Sequence, residues 1–428
     1  MSIVQPTHAV ETAEHVLFII GLILACGSIS GFIARKIRVP DIVLFLLVGI
    51  ILGPEIDVIV VPTGSALNQI ILIFGAAYII FDGGATVALR VLKNVWISLV
   101  VIATVGVVVS MFIVGYAAHW IFGIPLMVAL LLGAVIASTD PATLVPVFKQ
   151  VRVRERVSHL VMSESALNDA MGAIVTVTLM SVVIGGAGFS VNDSLLRLAQ
   201  EAGLGILVGG AIGGVALLLI AHEKYAFLRE YMPLVTLIVV LGGYLGADMV
   251  SASGYMAAFI AGVLIGNKDL LGLQMEPGEE KDLESFIGTT SLIMRMFIFI
   301  LLGTHVDFHL LSKYWAGGIL LIAIFMLIAR PVTVFLCCLP DRRAKWDLKE
   351  LLFMCWVRET GVIPAALAGL LVGAGAPHAD LIASVTFMAV LVTILVQATT
   401  TKFWGGKLGL LVEGPPQTPQ EMGHPLEP

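Results

Sequence analysis

The sequence is poor in charged residues: only 13% of its 428 residues are charged, against about 25% in an average soluble domain. Hydrophobic residues make up 58%, which excludes an ordinary water-soluble fold. Cysteine is scarce as well, and the four cysteines lie inside apolar runs without metal-ligand spacing, so neither a zinc site nor a disulfide scaffold is expected. No stretch reads as a soluble nucleotide-binding or catalytic domain, and nothing predicts a cofactor or a nucleic-acid partner.

What the sequence has instead is a series of apolar runs long enough to cross a hydrocarbon layer about 30 Å thick. This pattern predicts an all-α, polytopic membrane protein with about thirteen transmembrane helices. The predicted spans are 16–34, 41–56, 66–88, 95–120, 125–148, 159–184, 202–221, 232–249, 253–267, 286–306, 314–339, 350–374 and 379–402.

Lys and Arg gather in alternate loops, which is the bias that sets the orientation of membrane helices. It predicts a multi-pass protein of the cell (inner) membrane, with the N-terminus outside and the C-terminus in the cytoplasm. The N-terminus lacks the features of a cleaved signal peptide, so we expect span 16–34 to be retained. Residues 267–285 read as a solvated linker, and the Pro-, Glu- and Gln-rich residues 413–428 as a disordered cytoplasmic tail after a transmembrane domain of residues 1–412.

Two spans are interrupted near their middle. In the fifth, Thr139-Asp140-Pro141 should break the helix, because proline removes a backbone donor and disfavours helical geometry at the residue before it. In the twelfth, Arg358-Glu359-Thr360-Gly361 precedes Pro364. Broken helices in both halves of a chain are typical of transporters with two inverted repeats, here two six-helix halves after the first span. A simple proline kink is the alternative for the fifth span.

The sixth span carries two polar stripes. Glu164 and Asn168 are four residues apart on one helical face, and Ser165 and Asp169 are four apart on the next. A carboxylate beside hydroxyl and amide oxygens suits a monovalent cation, and the same carboxylate can hold a proton instead. The alternative is polar contact between packed helices.

The remaining charges inside spans need partners, because an isolated buried charge is costly. We expect Arg330 of the eleventh span to pair with Glu164, although it could also extend towards the membrane surface. Arg358 could pair with Glu359. Asp82 of the third span is either an acid near the site or a helix-end residue, and Arg295 faces Asp307 or water.

These motifs resemble those of the monovalent cation/proton antiporters, in particular the branch with an Asn-Asp pair, to which the electroneutral sodium/proton exchangers belong. The residues that carry the resemblance are Thr139-Asp140-Pro141, Glu164 to Asp169, Ala329-Arg330-Pro331, and Arg358 followed by Gly361 and Pro364. The sequence departs from the family pattern at Glu359 and at Asp82, which we assign to the surroundings of the site together with Arg358.

The resemblance implies a homodimer with a dimerisation region and a mobile core, in which the broken fifth and twelfth spans cross. It also implies that Asp169 carries the cation and the proton, with Ser165, Asp140, Thr139 and Asn168 completing the site. Glu164 and Arg330 would form a structural ion pair.

We therefore expect a secondary antiporter, not an enzyme, that exchanges Na+ or Li+, or K+, for H+ across the lipid bilayer. Because Asp169 is the single titrating carrier, exchange should be one for one and electroneutral. A cation channel and a proton-coupled solute symporter are the competing functions. Neither is favoured, because the sequence has no repeated filter motif and offers no large polar cavity.

Overall fold

The computed structural model describes residues 8–37, 41–62, 64–139, 153–185, 191–221, 226–273, 275–306 and 308–412. Within them the chain is helical apart from short connections and one isolated bridge between Val153 and Leu411. The helices are α1 (His8–Ile37), α2 (Asp41–Ile50), α3 (Ala66–Ala85), α4 (Trp96–Phe122), α5 (Leu126–Ala137), α6 (Glu155–Gly185), α7 (Val191–Ala221), α8 (Met232–Asp248), α9 (Gly254–Gly266), α10 (Pro277–Thr304), α11 (Phe308–Ile324), α12 (Arg330–Cys338), α13 (Leu348–Trp356), α14 (Val362–Gly373), α15 (Ala379–Thr393) and α16 (Thr399–Lys407).

Every predicted span overlaps a helix of the described residues, because each apolar run satisfies its own backbone hydrogen bonds as a helix in lipid. Nine described helices are long and apolar enough to cross a membrane, and three shorter apolar helices are α5, α9 and α14. The fold is therefore all-α and polytopic, as predicted. The count of thirteen crossings and the inverted symmetry of the two halves stay predictions, and the predicted tail, 413–428, lies outside the described residues.

The connector predicted at 267–285 is helical in its second half, because α10 begins at Pro277, about two and a half turns before the apolar run. Its start is stabilised by a capping box, in which Glu276 accepts from the amide of Glu279 while the Glu279 side chain accepts from the amide of Glu276. Proline in the first turn removes a donor that would have no helical partner there. The local capping sequence thus extends a helix into a polar segment.

The helices pack in two groups. One contains α4, α5 and α6 together with α11 to α15, and its most extensive contact joins α4 to α5. The other contains α1, α2, α3 and α7 to α10, and helices α3, α9 and α10 contact α6 or α14 of the first group. Gly49 and Gly303 allow α2 and α10 to touch, since a Cβ atom on Gly49 would lie 2.2 Å from the carbonyl oxygen of Ile300.

At one end of the first group a polar network joins three elements. The carboxylate of Glu350, at the start of α13, is fully buried and accepts from Arg154 and Arg156, which flank the start of α6. Asp341 accepts from the hydroxyl of Ser98 at 2.7 Å. Burial raises the pKa of Asp341, but hydrogen bonds from Ser98 and from the loop amides outweigh it and hold the pKa below its usual range. These contacts connect the ends of α4, α6 and α13.

Candidate functional site

The first interruption lies at the end of α5. This helix stops at Ala137, and Ser138 and Thr139 continue in extended or irregular backbone. Asp140 and Pro141, predicted to complete the break, lie outside the described residues. Because the last carbonyls of a helix have no partner within it, the end of α5 presents backbone oxygens to the neighbouring helices.

Side chains of α6 hold Thr139 in place. The amide of Thr139 donates to Asn168 Oδ1 at 3.1 Å, and Asn168 Nδ2 donates to Thr139 Oγ1 at 2.9 Å. Thr139 Oγ1 also donates to Ser165 Oγ at 2.9 Å. The two polar stripes predicted on the sixth span therefore meet the break predicted in the fifth, and Asn168 acts on the backbone of the break.

Asp169 lies beside this network on α6. It is 2% exposed, and Ser165, one turn earlier on the same face, is completely buried. The structure thus brings Thr139, Ser165, Asn168 and Asp169 together within one buried region. In such a place the oxygen atoms of a carboxylate, two hydroxyls and an amide can replace water molecules around a cation and bind it directly. The carboxylate can hold a proton instead.

Gly172 allows α5 to approach α6. A Cβ atom on Gly172 would lie only 2.0 Å from Ser138 Oγ and 3.3 Å from Ser138 Cβ, so a side chain there must rotate the Ser138 hydroxyl and press on the residue that follows α5. We expect Gly172→Ala to lower the free energy of unfolding by about 1–3 kcal/mol, the usual cost of overpacking a close contact. The measurement is unfolding of the purified protein in detergent.

Gly185→Ala is the matched control, because Gly185 lies on the same helix and a Cβ atom there meets nothing within 4 Å. Equal stability losses in the two variants would show that the contact between Gly172 and Ser138 does not restrain α5.

The second interruption separates α13 from α14 at residues 357–361. Arg330 holds the end of α13: its Nε donates to the carbonyl oxygen of Met354 at 2.8 Å and its Nη2 to that of Val357 at 3.4 Å. The same guanidinium forms an ion pair with Glu164, with Nη2 and Oε2 2.9 Å apart and a second contact between Nη1 and Oε1. Both side chains are almost fully buried. The structure therefore places Arg330 against Glu164, as predicted, and against the break as well.

Two further residues hold this break and were not predicted. Thr393 Oγ1 accepts from the amide of Thr360 at 3.0 Å, and Gln397 Nε2 donates to the carbonyl oxygen of Trp356 at 2.7 Å. Both lie on α15 or on the π-helical turn Ile394–Ala398 that follows it. In the sequence, the feature that could have identified them is their polarity within a mostly apolar span, together with their spacing of four residues.

Arg358 connects the two interruptions. Its Nη2 donates to the carbonyl oxygen of Ala137, the last residue of α5, and its Nη1 donates to Ser110 Oγ at 3.0 Å. The guanidinium also lies 4.9 Å from the ring centroid of Phe325. A cation at the negative end of a helix is stabilising, so Arg358 offsets the end charge of α5. Glu359 is completely buried beside it, just before the positive end of α14.

Asp82 lies at the contact between α3 and α10, away from the two interruptions. The Asp82 carboxylate lies close enough to Ser291 and Arg295 of α10 to interact with both side chains. The acid therefore links α3 to α10, and it is a partner of Arg295 that sequence reasoning missed. Asp307, the partner considered for Arg295, lies outside the described residues.

Comparisons with known proteins bear on the whole chain. A family model described as "Sodium/hydrogen exchanger, transmembrane" matches residues 21–406. The "Na(+)/H(+) antiporter 1" of Methanocaldococcus jannaschii is 32% identical over 436 residues, which cover 95% of this chain and 98% of that protein. The "K(+)/H(+) antiporter NhaP2" of Shewanella sp. (strain ANA-3) is 28% identical over 90% of this chain, and the match spans 65% of that protein. The solved structure of the sodium proton antiporter MjNhaP1 from M. jannaschii at pH 8 superposes with a TM-score of 0.82 at 29% identity, covering 93% of this chain and 99% of that chain.

Proposed function

Because this chain belongs to the sodium/hydrogen exchanger family of membrane antiporters, we propose that its monovalent cation and its proton compete for the carboxylate of Asp169. The protein is a multi-pass membrane transporter rather than an enzyme. The observation that supports this site best is the burial of Asp169 one helical turn after Ser165, whose hydroxyl accepts from Thr139 at the point where α5 ends.

Each residue of the proposed site has a separate task. Asp169 carries the charge, Ser165 and Thr139 supply hydroxyl oxygens to a partly dehydrated cation, and Asp140 adds a second carboxylate. Asn168 fixes Thr139 at the break through hydrogen bonds with its backbone amide and its hydroxyl. Arg358 and Glu359 balance the helix ends, and Asp82, which links α3 to α10, would act on the site only through the contact of those two helices with the core. A protonated Asp169 cannot bind the cation, so one carboxylate makes the two substrates exclude each other.

Na+ is the proposed cation, with Li+ as an alternative and K+ as a further one. The relative from M. jannaschii is named for Na+, whereas the Shewanella relative is named for K+. Hydroxyl and carboxylate oxygens suit all three ions. Transport in proteoliposomes with a trapped pH dye, tested with each chloride salt in turn, distinguishes them.

The two helix groups suggest how the site reaches both sides of the membrane. We propose that α4 to α6 and α11 to α15 move as the core, because both interruptions lie in that group and Arg358 joins them. The remaining helices would form the dimerisation region of a homodimer. The protein would lie in the cell membrane with its N-terminus outside and its C-terminus in the cytoplasm, as the distribution of Lys and Arg predicts.

Exchange should be one for one and electroneutral, since Asp169 binds either one cation or one proton and both halves of the cycle then move the same charge. An imposed potential of about 100 mV, which is worth roughly 2.3 kcal/mol per elementary charge, should leave the equilibrium Na+ ratio unchanged. The measurement uses proteoliposomes clamped with valinomycin and a K+ gradient, with Na+ as the transported ion.

Liposomes without protein give the passive leak. A clear shift of the Na+ ratio with the potential would refute the one-for-one scheme and would indicate that a second group, such as Asp140, titrates during the cycle.

A further inference from the structure

An apolar groove lies on the outside of the core, behind the second interruption. It is open on one side, has a volume of about 190 Å³ and is lined almost entirely by apolar atoms. Its lining residues come from the turn between α11 and α12, the start of α12, α13, and α16 with the residue after it: Met326, Leu327, Pro331, Leu352, Cys355, Trp356, Trp404 and Leu408. An apolar cavity of ~150 Å³ is large enough to bind benzene, so the groove can hold a short stretch of a hydrocarbon chain.

The backbone explains why a recess forms here. Residues Phe325–Ala329 form a π-helical turn, in which the amide of Arg330 donates to the carbonyl oxygen of Phe325. Pro331 follows and has no amide hydrogen to donate. A π-helical turn followed by a proline interrupts the regular helix surface on this wall of the groove, and Leu327 and Leu352 on the two walls are 61% and 44% exposed.

The rim of the groove is basic at one end. The ammonium group of Lys407, near the end of α16, lies 5.3 Å from the ring centroid of Trp404 and 5.9 Å from that of Phe403. Lys407 is exposed. The groove therefore has a hydrocarbon-lined body within membrane helices and an exposed positive charge at the helix end, which is the chemistry that fits a lipid tail followed by an anionic headgroup.

We propose that this groove, which we call the α13 groove, binds an anionic phospholipid, with one acyl chain between Leu352 and Trp404 and the phosphate on Lys407. The bound lipid would contact Trp356, the last residue of α13, whose carbonyl oxygen Gln397 holds at the edge of the break. The site is separate from the region around Asp169, and it does not depend on the proposed exchange mechanism.

Quenching of tryptophan fluorescence by brominated lipids tests this proposal, because two tryptophans line the groove. The protein is reconstituted with either brominated phosphatidylglycerol or brominated phosphatidylcholine, and the groove signal is the difference between wild type and Trp404→Phe. We expect that signal to show about a fivefold preference for the anionic lipid, as one lysine near an anionic group provides.

Lys407→Gln should abolish the preference and, being exposed, should not affect folding. Lys402→Gln is the matched control, since Lys402 is exposed on the same helix but on nearly the opposite side of it from Trp404, about 200° around the helix axis. Lys407 lies within about 60° of Trp404 around the same axis. Equal quenching by the two lipids in the wild type would overturn the proposal and leave only ordinary bilayer lipid in the groove. A preference that survives Lys407→Gln, or that Lys402→Gln removes equally, would overturn it as well.

Discussion

Asp169→Asn is expected to abolish cation/proton exchange, with rates falling at least about 100-fold to the level of protein-free liposomes. The amide keeps the size of the side chain but cannot take up a proton or offer a negative charge to a cation. Since asparagine keeps the shape of the buried Asp169 side chain, the loss should be one of binding rather than of folding. Proton flux driven by a Na+ gradient is the first measurement.

Thermal stability supplies a second readout that separates binding from structure. A ligand that binds only the folded protein stabilises it by about 2.7 kcal/mol at 100 times its dissociation constant. Na+ should therefore raise the melting temperature of the wild type at high pH, less so at low pH, and not at all in Asp169→Asn.

Glu201→Gln is the matched control for this variant. Glu201 also contacts α6, where Thr178 Oγ1 donates to its carboxylate at 3.2 Å. Thr178 lies further along the helix than the residues of α6 that contact Thr139. Exchange by Glu201→Gln should stay close to that of the wild type. If Asp169→Asn exchanged Na+ for protons at near wild-type rates, Asp169 would not be the carrier.

The second large effect is expected at Glu164 and Arg330. Replacing either by glutamine should cost about 3–5 kcal/mol of unfolding free energy, because the partner remains as an uncompensated buried charge. The double variant should lose clearly less than the sum of the two single losses, since it leaves no lone charge. Unfolding in mixed detergent micelles measures all four proteins.

The two single losses should differ. Arg330 also donates to the carbonyl oxygens of Met354 and Val357, so its removal frees the end of α13 as well as Glu164. The Arg330 variant should therefore be the less stable of the two. Arg229 and Glu279 serve as a control pair: they form a bidentate but half-exposed ion pair, for which water and salt screen the interaction. Additive losses at Glu164 and Arg330 would show that the two charges do not depend on each other.

The helical membrane fold could be derived from the sequence alone, since lipid imposes one simple rule. An apolar run in hydrocarbon must form a helix, so the positions of the spans follow from composition along the chain. The pairing of Glu164 with Arg330 followed from a similar rule, because two lone buried charges are each too costly. Spacing of three to four residues also placed Ser165 with Asp169, and Glu164 with Asn168, on shared faces of α6.

Other features depended on contacts between distant parts of the chain, which no local pattern encodes. The capping of Thr139 by Asn168, the reach of Arg358 to the carbonyl of Ala137, and the support of the second break by Thr393 and Gln397 all join residues more than 25 positions apart. The sequence alone determined that this protein is a bundle of membrane helices with two breaks and a few buried charges. Only the tertiary structure decided which carbonyls and side chains meet at those breaks, because close packing, such as that of Gly172 against Ser138, sets distances that helical periodicity does not contain.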